Sequence, residues 1–307
     1  MKKSAEVTTA VAQKVLEHHF GKKPTRLQQI AGGESNFAFE AVVAREEFIL
    51  RISNRATKLQ YFMKEQWAVK KARSKRVPAP EILEVGNDVI GLPYMISRKM
   101  TGVEATSRAN DLEIFHQTGR YAAVINSIRT SDFGNIFDWS PNELSRRHSW
   151  KEFIAEDFRP QERIETFVKY KILRPQNLKK LKVAAKNLED LKGVPSLSHG
   201  DLRLKNVLLD DKGKISAIID WEHATSNLAP YWELAIALHD LGIDQKETFL
   251  RGYGIEPKEF QYISTTVKTL NTLHYARVVK KAAKAKDHEG IARLKQRLNG
   301  DLDLFSP

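Results

Sequence analysis

Asp201, Asn206 and Asp220 share the stretch Ser198–Glu222, SHGDLRLKNVLLDDKGKISAIIDWE. Asn206 follows Asp201 by five residues, and Asp220 follows Asn206 by fourteen. Between the last two lie the apolar runs Val207–Leu209 and Ile215–Ile219, joined by Asp210-Asp211-Lys212-Gly213-Lys214. Short β-favouring runs around Asp, Lys and Gly read as a β-hairpin. Closing a hairpin brings its ends together, so Asn206 and Asp220 become neighbours, with Asp201 on the loop that leads in. Two carboxylates and an amide offer hard oxygen donors, which suit Mg²⁺. Asp and Asn are also ordinary turn residues. It is the three together, at these spacings around a hairpin, that point to chemistry.

This arrangement resembles the catalytic core shared by protein kinases and the aminoglycoside phosphotransferase family. The protein-kinase form reads His-Arg-Asp, an Asn five residues after the Asp, then Asp-Phe-Gly. Here the first motif is His199-Gly200-Asp201 and the last is Asp220-Trp221-Glu222. The central Gly and the Trp-Glu ending are similar to the small-molecule kinase branch. The resemblance implies that Asp201 is the catalytic base, that Asn206 and Asp220 hold Mg²⁺, and that His199 braces the loop. It implies ATP (or GTP) as phosphoryl donor. Phosphoryl transfer needs a carboxylate near the attacking hydroxyl and metal ions to neutralise the phosphates, so the residue types agree.

Further positions follow from the same resemblance. Gly32-Gly33-Glu34-Ser35-Asn36, between two strand-like runs, stands where a turn covers the nucleotide phosphates, with Gly33 and Ser35 as contacts. It lacks the full Gly-x-Gly-x-x-Gly of protein kinases. Arg51 stands where the family places a third-strand lysine. It keeps the charge but differs in shape and donor geometry. Glu65, at the margin of the apolar face of the next helix, is the expected partner of Arg51. Ser97–Gly102 is the expected hinge, with Ile96, Arg98 and Met100 as nucleotide contacts. Lys205 is a candidate γ-phosphate cation. Glu233 stands where the family usually carries an Asp and is read as bracing the catalytic loop.

The elements that must position these groups are legible in outline. Helical periodicity covers residues 5–20, 58–76, 111–128, 150–173 (broken near Pro160), 175–191, 260–283 and 288–298. Strand-like runs cover 27–31, 37–43, 48–52, 81–85 and 92–97. The expected fold is α+β, a bilobal protein-kinase-like arrangement. Its antiparallel-sheet nucleotide-binding N-lobe spans 1–97, and its mainly helical catalytic and acceptor-binding C-lobe spans 98–307.

Composition narrows the alternatives. The 307 residues contain no cysteine, so thiol nucleophiles, thiolate metal sites and disulfides are excluded. No apolar run reaches membrane-spanning length, and no apolar segment follows Met1-Lys2-Lys3 as a signal peptide requires. The default expectation is a cytoplasmic protein. The net charge of +12 invites a nucleic-acid reading. No DNA- or RNA-binding motif accompanies it, and the excess falls on helix surfaces such as Lys70–Arg76 and Lys280–Arg297. There is no Gly-x-x-x-x-Gly-Lys-Ser/Thr, which argues against a P-loop enzyme.

The expected function is transfer of a γ-phosphoryl group to a hydroxyl of an aminoglycoside or related antibiotic, the partners being a nucleotide and that small acceptor. A macrolide, sugar, choline or homoserine acceptor is the alternative. A pseudokinase binding module is disfavoured by the intact Asp201, Asn206 and Asp220. A metal-dependent hydrolase built on His199 and Asp201 lacks the further clustered ligands such sites need. Acidic residues 152–165 could form a face for a cationic acceptor, but they alternate with Lys and Arg as any solvated helix does.

Overall fold

The computed structural model describes residues 7–30, 36–135, 146–239 and 241–303. By packing, they group into two compact units. The first holds the described residues up to Asn110 together with Arg203–Ala224, and the second holds most of the remainder.

In the first unit, helix α1 (Thr9–Phe20) starts at the Thr8 N-cap and stops at Gly21, which takes φ 64° and donates to Glu17 O. Five antiparallel strands follow: β1 (Arg26–Ile30), β2 (Phe37–Val43), β3 (Glu46–Ile52), β4 (Ile82–Gly86) and β5 (Tyr94–Arg98), in the order β1-β2-β3-β5-β4. The β2–β3 turn is Ala44-Arg45. Both residues take positive φ, 51° and 71°, as a two-residue hairpin loop demands. Strand alternation sends Phe39, Ala41, Phe48, Leu50, Tyr94 and Ile96 into one core with Val15 and Leu16 of α1. Arg51 and Met95, directly paired in the register, take the other face. Helix α2 (Lys58–Ser74) covers that side, burying Phe62, Glu65, Ala68 and Val69.

A second, three-stranded sheet completes this unit. The two-residue β6 (Val103–Glu104) pairs with β10 (Val207–Leu209), which pairs with β11 (Ile215–Ile218). A division at the hinge, 1–97 against 98–307, is one of role and remains a proposal. The packing boundary differs because β6 recruits the hairpin back to the first unit.

The second unit is mainly helical. It contains α3 (Leu112–Asn126), α4 (Trp150–Glu152) continuing as a π-helical turn to Phe158, α5 (Pro160–Lys169), α6 (Pro175–Lys186), α7 (Tyr231–Ala237), α8 (Ile243–Tyr253), α9 (Pro257–His274), α10 (Ala276–Lys284) and α11 (His288–Asp303). The expected helix over 260–283 is interrupted at Tyr275, whose ring lies 4.0 Å from that of His239. A small sheet joins β8 (Arg146–Arg147), β7 (Phe133–Gly134), β12 (Thr225–Leu228) and β9 (Pro195–Ser198). Helix α8 has no counterpart in the sequence-based expectations. It crosses α3 so closely that a Cβ on Gly119 would lie 2.0 Å from Phe249 O, and one on Gly252 would lie 2.0 Å from His116 O. Among the described residues no helix is long and apolar enough to cross a membrane.

Candidate active site

The hairpin forms as its sequence demands. Val207 pairs with Ile218 and Leu208 with Ala217. Asp210 holds the turn: its Oδ1 accepts the backbone N–H groups of Lys212 at 2.9 Å and Lys214 at 2.8 Å. Gly213 supplies the left-handed position at φ 75°. At the open end Ile219 N–H donates to Asn206 O at 2.9 Å, which puts Asn206 beside the residue before Asp220. Asn206 is buried and Asp220 half-buried. Asp220 holds φ 61°, ψ 61°, a left-handed conformation unusual for a residue with a side chain. Trp221 fixes the turn from behind, fully buried, with its Nε1–H on Ile218 O at 2.9 Å.

On the α2 side of the five-stranded sheet, Arg51 Nη2 and Glu65 Oε1 form a buried ion pair. The guanidinium lies 5.5 Å from the Phe62 ring centroid, with Nη2 3.6 Å from Met95 Sδ. Burial opposes the charge on Arg51. Glu65 first, then Asp220 and Glu222, overcome that cost and hold the guanidinium above its ordinary pKa. Arg51 therefore lies within the electrostatic reach of Asp220.

Four residues that sequence reasoning did not assign to the site join this network. Lys58 pairs with Glu222 Oε1, and Asn36 Nδ2 lies 3.4 Å from Glu222 Oε2. Lys58 stands at the first position of α2, where a cation opposes the helix dipole. That misplacement is the sequence signal for a tertiary partner. Glu222 is partly buried, which raises a carboxyl, but the hydrogen bond and charge of Lys58 bring it below the usual range. Lys64 is also buried, 1% exposed, and burial pulls its ammonium down to about 8.

In the second unit, the loop after β9 carries Asp201, which is buried. Its backbone N–H donates to His199 Nδ1 at 3.3 Å. The His199 N–H in turn donates to Glu233 Oε2 at 2.6 Å. His199 and Glu233 are both fully buried, and burial first of all raises the Glu233 carboxyl to about 7. Both contacts fit the bracing roles expected of these two residues.

The other expected nucleotide contacts fare differently. Gly33 and Ser35 lie outside the described residues. Ile96 is fully buried in the core with α1, on the opposite face of the sheet from Arg51. Strand parity puts Met95 and Ser97, rather than Ile96, on the face of Arg51. The Arg98 guanidinium is engaged at the sheet margin, 2.9 Å from Glu46 and 3.0 Å from Glu81, and its backbone N–H donates to Glu81 O. Lys205 is exposed on the 3₁₀ turn Leu204–Asn206. Of the acidic residues 152–165, Glu156 and Asp157 pair with Arg147, Glu162 with Arg159, and Glu152 accepts the His148 N–H.

The donor set fits Mg²⁺. Asn206 and Asp220 supply one amide oxygen and one carboxylate from adjacent hairpin ends. Among the described residues no three His, Asp or Glu side chains gather to form an all-protein cage. One or two protein oxygens completed by phosphates and water is the usual Mg²⁺ arrangement in nucleotide sites.

Comparison with known proteins agrees with this geometry. The model of the phosphotransferase enzyme family matches residues 26–263. Hygromycin-B 4-O-kinase of Escherichia coli is 28% identical over 232 residues. That match covers 72% of this chain and spans 64% of the relative's length. The crystal structure of aminoglycoside phosphotransferase APH(4)-Ia superposes with a TM-score of 0.72 at 22% identity, covering 96% of this chain and 99% of that one. A putative fructosamine-3-kinase from Haemophilus somnus superposes with a TM-score of 0.63 at 14% identity, covering 95% and 96%. At these identities the structural likeness establishes the fold, a protein-kinase-like one with an antiparallel-sheet N-terminal part and a helical C-terminal part.

Proposed function

The chain belongs to the aminoglycoside phosphotransferase (phosphotransferase enzyme) family, and on that premise we propose that it transfers the γ-phosphoryl group of ATP (or GTP) to a hydroxyl of an aminoglycoside. The observation that carries the reading is the hairpin that puts Asn206 beside the Asp220 turn, five residues beyond Asp201 in the chain. Asp201 accepts the proton of the attacking hydroxyl, and its loop is held by His199 and Glu233. Asn206 and Asp220 hold Mg²⁺, which supplies charge neutralisation at the phosphates. Arg51 grips phosphate oxygens, kept charged and oriented by Glu65. A guanidinium in place of the family lysine offers a planar fork rather than a point charge.

Hygromycin B is the first acceptor to test, because a hygromycin-B kinase is a relative at 28% identity. A second reading has its own support. The chain carries a net charge of +12, and all five acidic residues between 152 and 165 are already engaged by neighbours. That balance suits a weakly charged hydroxylated acceptor better than a polycation. Acceptor-dependent ADP release over hygromycin B, other aminoglycosides, sugars and amino alcohols separates the two, with Asp201→Ala as control. Turnover on any acceptor that survives intact in Asp201→Ala would overturn the mechanism. Turnover confined to the uncharged acceptors would overturn the aminoglycoside assignment.

A further inference from the structure

Glu222 closes the motif Asp220-Trp221-Glu222, and its carboxylate is engaged through both oxygens. Oε1 takes the Lys58 ammonium, and Oε2 faces Asn36 Nδ2 at 3.4 Å. Lys58 opens α2 and Asn36 immediately precedes β2, so one carboxylate ties the Asp220 turn to two separate elements of its own unit.

Three observations give this tie a purpose beyond packing. Lys58 is only 7% exposed and sits at the helix end that repels cations, with no acidic residue in the first turn of α2. A cation so placed needs a partner from elsewhere in the chain, and Glu222 is that partner. Asp220 holds a left-handed conformation, φ 61°, which persists in a non-glycine residue only when the surroundings determine it. Trp221 does so through burial and its bond to Ile218 O, and Glu222 supplies the remaining anchor. Finally, α2 carries Glu65, the partner of Arg51, seven residues beyond Lys58. One helix therefore holds the phosphate-side arginine from its middle and the metal turn from its start. In the protein-kinase motif a glycine stands at the third place, where no side-chain tie can form.

We propose that Glu222, held by Lys58 and Asn36, is a positioning residue that sets Asp220 for the magnesium-bound nucleotide without itself touching metal or nucleotide. This rests on the phosphotransferase reading of Asn206 and Asp220 above.

The test is equilibrium binding of a fluorescent ATP analogue to the full chain, with Mg²⁺ titrated from zero. In Glu222→Gln and Lys58→Met the Mg²⁺ concentration for half-maximal enhancement should rise about tenfold or more, with binding in the absence of Mg²⁺ kept within about twofold. Lys58→Arg, which keeps the pair, should stay near the wild-type midpoint. An unmoved midpoint in Glu222→Gln would overturn the positioning role. So would an equal loss of binding with and without Mg²⁺, the mark of a merely structural residue. A wild-type chain whose nucleotide binding ignores Mg²⁺ would instead bring down the metal assignment itself, a result distinct from failure of the tie alone.

Discussion

Glu233 Oε2 accepts the backbone N–H of His199 at 2.6 Å, across thirty-four residues of chain. The bond joins the start of α7 to the loop that carries Asp201, and both partners are fully buried. A carboxylate with no water around it is costly, and burial accordingly lifts the Glu233 carboxyl to about 7.

That shift has a sign. In the unfolded chain the carboxyl loses its proton near the ordinary value of 4.5, while the folded chain keeps it until about 7. The contribution to stability is therefore fully present below pH 4.5 and is lost as pH rises to about 7, amounting to about 3 kcal/mol. Glu233→Gln can still accept the His199 N–H but does not titrate. The stability of wild type relative to Glu233→Gln should fall across this window, as read by denaturant titrations at a series of pH values. A constant gap would mean that the carboxyl does not titrate there.

The Arg51–Glu65 pair is buried, with side-chain exposures of 17% and 4%. Removing one partner strands the other charge, which costs about 3–5 kcal/mol. Glu65→Ala should lose about that much stability. The double variant Arg51→Met/Glu65→Ala should lose clearly less than the sum of the single losses, because the stranded charge is gone. Additive losses in denaturant unfolding would show that the two side chains do not depend on one another.

Lys64 presents the opposite titration. Burial holds its ammonium near 8 in the folded chain, against 10.5 unfolded, so the unfolded state binds the extra proton between those values. Stability from this group rises with pH from about 8 to 10.5, and at pH 7 the buried charge costs about 3 kcal/mol. Wild type should gain on Lys64→Met over that range, and melting temperatures from pH 7 to 10.5 check it. A gap that does not change with pH would place the ammonium in water.

The crossing of α3 and α8 predicts a contrast among glycines. Gly119→Ala and Gly252→Ala would each set a Cβ 2.0 Å from a backbone carbonyl oxygen, so a helix must move. Overpacking of this kind costs about 1–3 kcal/mol or more, against a helix-propensity gain of about 1 kcal/mol. Gly300, in α11, has nothing within 4 Å of its added Cβ. Gly300→Ala should stabilise the chain by about 0.5–1 kcal/mol. Thermal unfolding of the three variants distinguishes the sites.

Local chemistry made part of this protein legible from its residues alone. The 207–218 hairpin follows from spacing and turn residues, while the pairing of Arg51 with Glu65 and the bracing of the Asp201 loop were legible only through the resemblance to the kinase-like family. The sequence also determined that no thiol chemistry occurs, because there is no cysteine. What it did not determine depends on which face a strand turns and which distant element lands there. Ile96 and Met95 are both apolar neighbours in one strand, and only the pairing of β5 with β3 decides that Ile96 joins the α1 core while Met95 meets Arg51. Lys58 and Glu222 are separated by 164 residues, and although a cation at the start of a helix calls for a partner, only the fold decides that the partner is Glu222. Gly119 looks like a helix weakness and Gly252 falls where no helix was expected, and both become contact points only when two helices cross. A side chain's own preferences act over a few residues, whereas burial and charge pairing depend on neighbours that the tertiary structure alone supplies.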